Sequence, residues 1–93
     1  MIRQINSEIF ILGMGISGIS LAKYLIKKKI PVTCWDDDPK KREVIQSLQF
    51  KINDITRETL KHCNYLVLSP GINHQENKPH EAVKIARNLN IKI

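Results

Sequence analysis

One stretch limits the folds open to this chain more than any other. Glu8 to Leu12 (EIFIL) is a short apolar run that ends at Gly13-Met14-Gly15-Ile16-Ser17-Gly18. An apolar run without strict alternation suits a strand buried on both faces. Directly after the loop, Gly18, Leu21, Ala22 and Leu25 recur at i, i+3, i+4 and i+7, the spacing of one helix face. Pro31 cannot continue that helix. Strand, glycine turn and helix in this order form the start of a parallel α/β unit.

The rest of the chain repeats the alternation. Val32 to Trp35 (VTCW) is β-favouring and supplies a second strand. Asp38-Pro39 opens a helix, with Asp as cap and Pro at the first helical position. That helix is expected to reach about Leu48, with Val44, Ile45 and Leu48 inward. Phe50 and Ile52 read as a short strand, and residues 53–61 as a loop with one helical turn. Tyr65 to Leu68 (YLVL) reads as a central strand stopped by Ser69-Pro70-Gly71. Pro79 to Leu89 is a last helix, with Asn90 as its left-handed cap, and Ile91-Lys92-Ile93 begins a further strand. Such alternation implies parallel pairing with right-handed crossovers. The expected architecture is a Rossmann-like, three-layer open parallel sheet of about five strands with flanking helices. Residues 1–93 are one domain, expected to be a piece of a longer protein because the chain stops within a strand.

The glycine loop has the context that makes this motif informative. Gly13 permits a tight turn, Gly15 lets backbone approach a ligand, and Gly18 lets helix and strand come together. The unpaired N–H groups at the helix start then face a pyrophosphate, with the Ser17 hydroxyl beside them. Asp36, Asp37 and Asp38 close the second strand, and Asp36 lies 18 residues past Gly18. An acid about 20 residues past such a loop accepts ribose hydroxyls in dinucleotide sites. Asp36 is therefore the first ligand candidate, Asp38 the helix cap and Asp37 either solvated or a contact. Ser69, Pro70 and Gly71 end another parallel strand at the edge where open α/β sheets collect ligands.

Other chemistry finds little support. The net charge is +6, yet Lys27, Lys28 and Lys29 fall at a helix end, where cations suit the dipole. Aromatics make up only 5%, too few for a base-stacking surface, so nucleic acid is not expected as a partner. No apolar run is long enough to span a bilayer, no export leader is visible, and a reducing cytoplasm is expected. Cys34 and Cys63 lack metal or redox spacing and read as small buried hydrophobes. His62, His74 and His80 have no ligand spacing, so no metal site is expected. There is no catalytic constellation and no G-x-x-x-x-G-K-[ST] loop for ATP.

ILGMGISGISLAKYL, VTCWDDD and YLVLSPGI together resemble the amino-terminal domain of the Mur ligases, most closely the branch that adds D-glutamate to UDP-N-acetylmuramoyl-L-alanine. The likeness runs from Ile9 to Ile93. It implies that the domain holds the UDP part of that substrate, in peptidoglycan synthesis. It places Ile16 and Ser17 against the diphosphate and uridine, Asp36 and Asp37 at the uracil end, and Gly71 on the third side. It also implies that ATP and Mg2+ act on central and carboxyl-terminal domains outside this chain, leaving these 93 residues inactive by themselves. Two departures stand out. Asp38 and Pro39 occupy the stretch where an arginine is common, so a charge contact is lost or passes to Lys40, Lys41 or Arg42. Lys29 stands where a helix-ending glycine is common. An NAD-binding domain of an oxidoreductase or regulatory protein is the alternative, and a ligand-free interaction domain a third reading.

Overall fold

The computed structural model describes residues 8–69 and 80–93. Its elements run β1 (Ile9–Leu12), α1 (Ile16–Lys27), β2 (Val32–Trp35), α2 (Pro39–Ser47), α3 (Arg57–Leu60), β3 (Tyr65–Leu68) and α4 (Glu81–Asn88). The strands pair in parallel in the order β2-β1-β3. β1 is thus the middle strand, where Tyr65 to Leu68 had been expected. Its four residues face Val32 to Trp35 on one side and Tyr65 to Leu68 on the other.

Strand periodicity splits the core into two layers. Ile11, Val32 and Cys34 point to one face and pack with Met14, Ala22 and Leu25 of the α1 region and Ile45 of α2. Phe10, Leu12 and Leu66 point to the other and pack with Leu60 of α3, Cys63, and Ala82 and Ala86 of α4. Helices therefore cover both faces, which explains why β1 is apolar at successive positions rather than alternate ones.

The five-strand expectation is met only in part. Ile52 makes a single bridge to Cys34 outside β2, and Lys92 a single bridge to Tyr65 outside β3. Each lies where a fourth and a fifth strand would run. Cys34 N–H donates to the Lys51 carbonyl (2.9 Å) and Leu66 N–H to that of Lys92 (2.8 Å). Phe50 packs into the core beside Ile52 instead of extending a strand.

Helix ends follow their local chemistry. The Asp38 carboxylate accepts from Lys40 N–H with Pro39 at the first position, as anticipated. Thr56 and Thr59 cap α3 reciprocally. Val44 and Leu48 depart from expectation. Only Ile45 of α2 is buried, while Val44 is 43% and Leu48 37% exposed. A nine-residue helix at the edge of a small sheet has room to bury a single line of side chains. Lys29, Gln49 and Asn90 adopt left-handed backbone (φ 63, 63 and 60) after α1, α2 and α4. The Asn90 cap and the left-handed Lys29 both match the sequence reading.

Both cysteines are buried and free, and burial pushes each thiol up to about 11. They remain protonated at neutral pH and fill volume. The folded thiols ionise later than those of the unfolded chain, so their contribution is complete below the unfolded value of 9.0. It is lost as the pH rises from there toward the folded value. Urea denaturation should show stability falling over that window, and falling less in the Cys34→Ala/Cys63→Ala double variant.

Candidate functional site

All three strands point their carboxyl ends at the glycine turn, and Gly13 is where they meet. It is buried with φ 97, a conformation that disfavours any side chain. Its N–H donates to the Trp35 carbonyl at the end of β2 (2.8 Å). Its own carbonyl accepts from Ser69 Oγ just past β3 (2.5 Å). Gly18 packs on the same carbonyl so closely that a methyl group there would overlap the Gly13 oxygen and press on Ser69 Oγ. Gly13 and Gly18 are thus required by the fold itself.

Gly15 differs. It takes ordinary extended backbone (φ −80, ψ −159) as the N-cap of α1. Among the described residues an added Cβ would meet only the ammonium of Lys41, 3.9 Å away. Helical bonding begins with Ile19 N–H on the Gly15 carbonyl, which leaves the amides of Ile16, Ser17 and Gly18 without helical partners. Among the described residues no side chain caps them, and no acid stands in the first turn. Asp38, Thr56 and His80 cap the other three helices. Ile16, 89% exposed, and Ser17 stand open at this end.

The aspartate turn is wired into the loop. Asp36 Oδ2 accepts from Met14 N–H (2.7 Å) and Oδ1 from Asp38 N–H (2.9 Å). The residue singled out as a ribose acceptor therefore ties β2 to the glycine turn. Each oxygen keeps a second lone pair for a ligand. Asp37 takes Trp35 Nε1–H on Oδ1 (3.0 Å) and His80 Nε2 on Oδ2 (2.7 Å). The His80 bond, backed by the Trp35 bond, holds the Asp37 carboxyl below its usual range. Arg42 lies over the Trp35 ring, 4.5 Å from its centroid. Its Nη1 donates to the carbonyls of Asp36 (2.8 Å) and Asp37 (3.1 Å). Arg42 thus braces the turn from inside, while Lys41 is the cation that reaches the glycine loop.

Ser69 is accounted for by its bond to Gly13, whereas Pro70, Gly71 and His74 lie outside the described residues. The parts played by Trp35, Arg42 and His80 were not legible in the sequence. Trp35 was read as a strand end and Arg42 as one of three basic candidates. In sequence His80 shows only a histidine without ligand spacing, inside the helix expected from Pro79 to Leu89, whereas in the structure it is that helix's N-cap. A second hollow, of about 450 Å³, is lined by Glu8, Thr33, Lys51, Asn53, Glu58, Thr59 and His62. It lies toward the opposite end of β1, where Glu8 is already engaged by Thr33 (3.0 Å) and Lys51 (3.4 Å). Among the described residues no group of three or more His, Cys, Asp or Glu could hold a metal ion. No helix there is long and apolar enough to cross a membrane.

The structure thus has a strand-loop-helix turn braced by an acid from the next strand. The family model for the Mur ligase MurD-like, N-terminal domain matches residues 7–93. The chain belongs to this family. It is 34% identical over 82 residues to the UDP-N-acetylmuramoylalanine--D-glutamate ligase of Jannaschia sp. (strain CCS1), a match covering 88% of this chain and 18% of that protein. The ligase of the same name from Phenylobacterium zucineum is 31% identical over 83 residues, covering 89% and 18%. That of the Wolbachia of Brugia malayi is 30% identical over 90 residues, covering 95% and 18%. The chain thus spans under a fifth of the length of these MurD-like relatives.

The two loop glycines should separate under substitution. Gly18→Ala forces helix from strand and should cost about 3 kcal/mol, the upper end of overpacking penalties. Gly15→Ala makes only an ordinary contact with Lys41 and loses cap preference, about 1 kcal/mol or less. Thermal unfolding of the two variants checks this, and equal losses would contradict it.

Proposed function

We propose that this chain binds the UDP moiety of UDP-N-acetylmuramoyl-L-alanine, as the amino-terminal domain of the ligase that adds D-glutamate in peptidoglycan synthesis. The observation that carries the reading is the open amino end of α1. Among the described residues its amides at Ile16, Ser17 and Gly18 have no side-chain cap at the carboxyl edge of the sheet, in a chain of the MurD-like family. Amides and dipole together favour a diphosphate there. In this reading Gly13, Gly15 and Gly18 shape the cradle, and Ile16 and Ser17 lie against the diphosphate and ribose. Asp36 and Asp37 border the base end, and Ser69, Pro70 and Gly71 border the third side. Lys41 supplies the positive charge that the aspartate turn lacks.

The reaction belongs elsewhere in this account. Residues 1–93 form the substrate-holding domain of a longer, three-domain cytoplasmic enzyme. ATP and Mg2+ act on its central and carboxyl-terminal domains, and the 93 residues alone make no product. The relatives, about five times as long, have room for such domains.

Asp36 keeps one lone pair on each oxygen beside the turn's own N–H groups, so the choice between UDP and a dinucleotide rests on the family rather than on this acid. Calorimetric titration of the chain with UDP, uridine and NADH tests the reading. UDP should bind more tightly than either of the others, and tighter binding of NADH would overturn it. Lys41→Ala should weaken UDP by roughly fivefold, the value of one partly solvated charge contact, and leave uridine unchanged. An equal loss for both ligands would remove Lys41 from the diphosphate.

A further inference from the structure

His80 is bonded on both sides of its ring, and the two bonds do different things. Nδ1 accepts from Ala82 N–H (3.0 Å) and so caps α4. A nitrogen that accepts carries no proton, so the neutral ring bears its proton on Nε2 and donates it to Asp37 Oδ2 (2.7 Å). The side chain is 19% exposed and reaches from the α3/α4 layer to the end of β2. Asp37 would otherwise be a loose carboxylate, 64% exposed, with Trp35 Nε1 as its other side-chain partner. Among the described residues Asp37 also faces the Arg42 guanidinium, braced on the Asp36 and Asp37 carbonyls, and the Trp35 indole. Ser69 and His80 bracket residues 70–79 in sequence. Ser69 is bonded to the glycine turn and His80 to the aspartate turn.

We propose that His80 is a positioning residue for the nucleotide site: by holding Asp37 from the amino end of α4, it fixes the aspartate turn that orders the glycine loop. The proposal rests on the UDP reading above. The chain of contacts is short. His80 holds Asp37, the adjacent Asp36 holds Met14 N–H, and Met14 lies between the two glycines that begin the loop. Releasing Asp37 leaves Asp36 on a turn with one anchor fewer. The cost then appears in ligand affinity, although His80 itself need not touch the ligand.

Two substitutions separate the ring's two roles. The carbonyl oxygen of Asn stands as many bonds from Cα as Nδ1, so His80→Asn keeps the cap and loses the reach to Asp37. The amide nitrogen of Gln matches Nε2 in the same count, so His80→Gln keeps the donor and weakens the cap. UDP affinity and thermal midpoint are measured for both variants of the 93-residue chain beside the parent chain. His80→Asn should keep a midpoint close to the parent's and bind UDP roughly fivefold more weakly, a fraction of a charge-assisted hydrogen bond. His80→Gln should bind UDP nearly as the parent does and melt roughly 4–8 °C lower, as expected for a lost cap in a domain of this size. Affinity that merely follows the midpoint in both variants, or parental affinity in His80→Asn, would overturn the positioning role while leaving the UDP site standing. A folded parent chain that does not bind UDP would overturn the nucleotide reading and this role together.

Discussion

The Gly13 peptide is the joint on which the molecule depends. Its N–H closes onto the end of β2, its carbonyl takes the hydroxyl that follows β3, and Gly18 of α1 rests against the same oxygen. Three strand ends and a helix are fastened within one turn. A side chain is disfavoured at Gly13, whose φ is 97, and would collide with the Gly13 carbonyl at Gly18. With the turn set in this way, the direction of α1 is set, and so is the direction of its unpaired amides. A buried carbonyl bonded by a neighbouring hydroxyl is an arrangement costly to break, because the oxygen would be left without a partner.

Much of this was legible in the sequence, for physical reasons that differ from residue to residue. β1 betrayed itself because a strand covered on both faces has no polar positions. Asp38-Pro39 and Asn90 did so because caps and left-handed ends are governed by local chemistry. Gly13 and Gly18 did so because their spacing reflects steric need. Long-range matters were hidden. Whether Ile52 and Lys92 extend into strands or stop at single bridges depends on how far a neighbouring strand continues, which local propensity does not encode. Val44 and Leu48 looked inward by apolar character alone, and the position of α2 at the sheet edge leaves them exposed. The Trp35–Asp37–His80 contacts join residues 43 apart, and no periodicity announces them.

In the proposed reading, the aspartate turn lets acids stand beside an anion site. Three carboxylates beside a diphosphate would repel it if they were free. Here Asp36 is bonded to backbone N–H groups, Asp38 caps α2, and Asp37 is held by Trp35 and His80. Each is turned to the protein's own donors, and Arg42 draws the turn's carbonyls inward. Lys41 is left as the cation nearest Gly15. Among the described residues the mouth presents amide dipoles and the Lys41 ammonium, while the carboxylates are bonded as braces. Under the proposed function, a turn built this way holds and orients a nucleotide handle.

The most direct measurement is the amide spectrum of the 15N-labelled chain during titration with UDP. The account predicts saturable shifts largest at Gly15, Ile16, Ser17 and Gly18, smaller ones at Asp36 and Asp37, and none at Glu8, Lys51 or His62 at the other end of the sheet. Shifts concentrated at that far end, or a loop that stays silent while UDP binds, would contradict it.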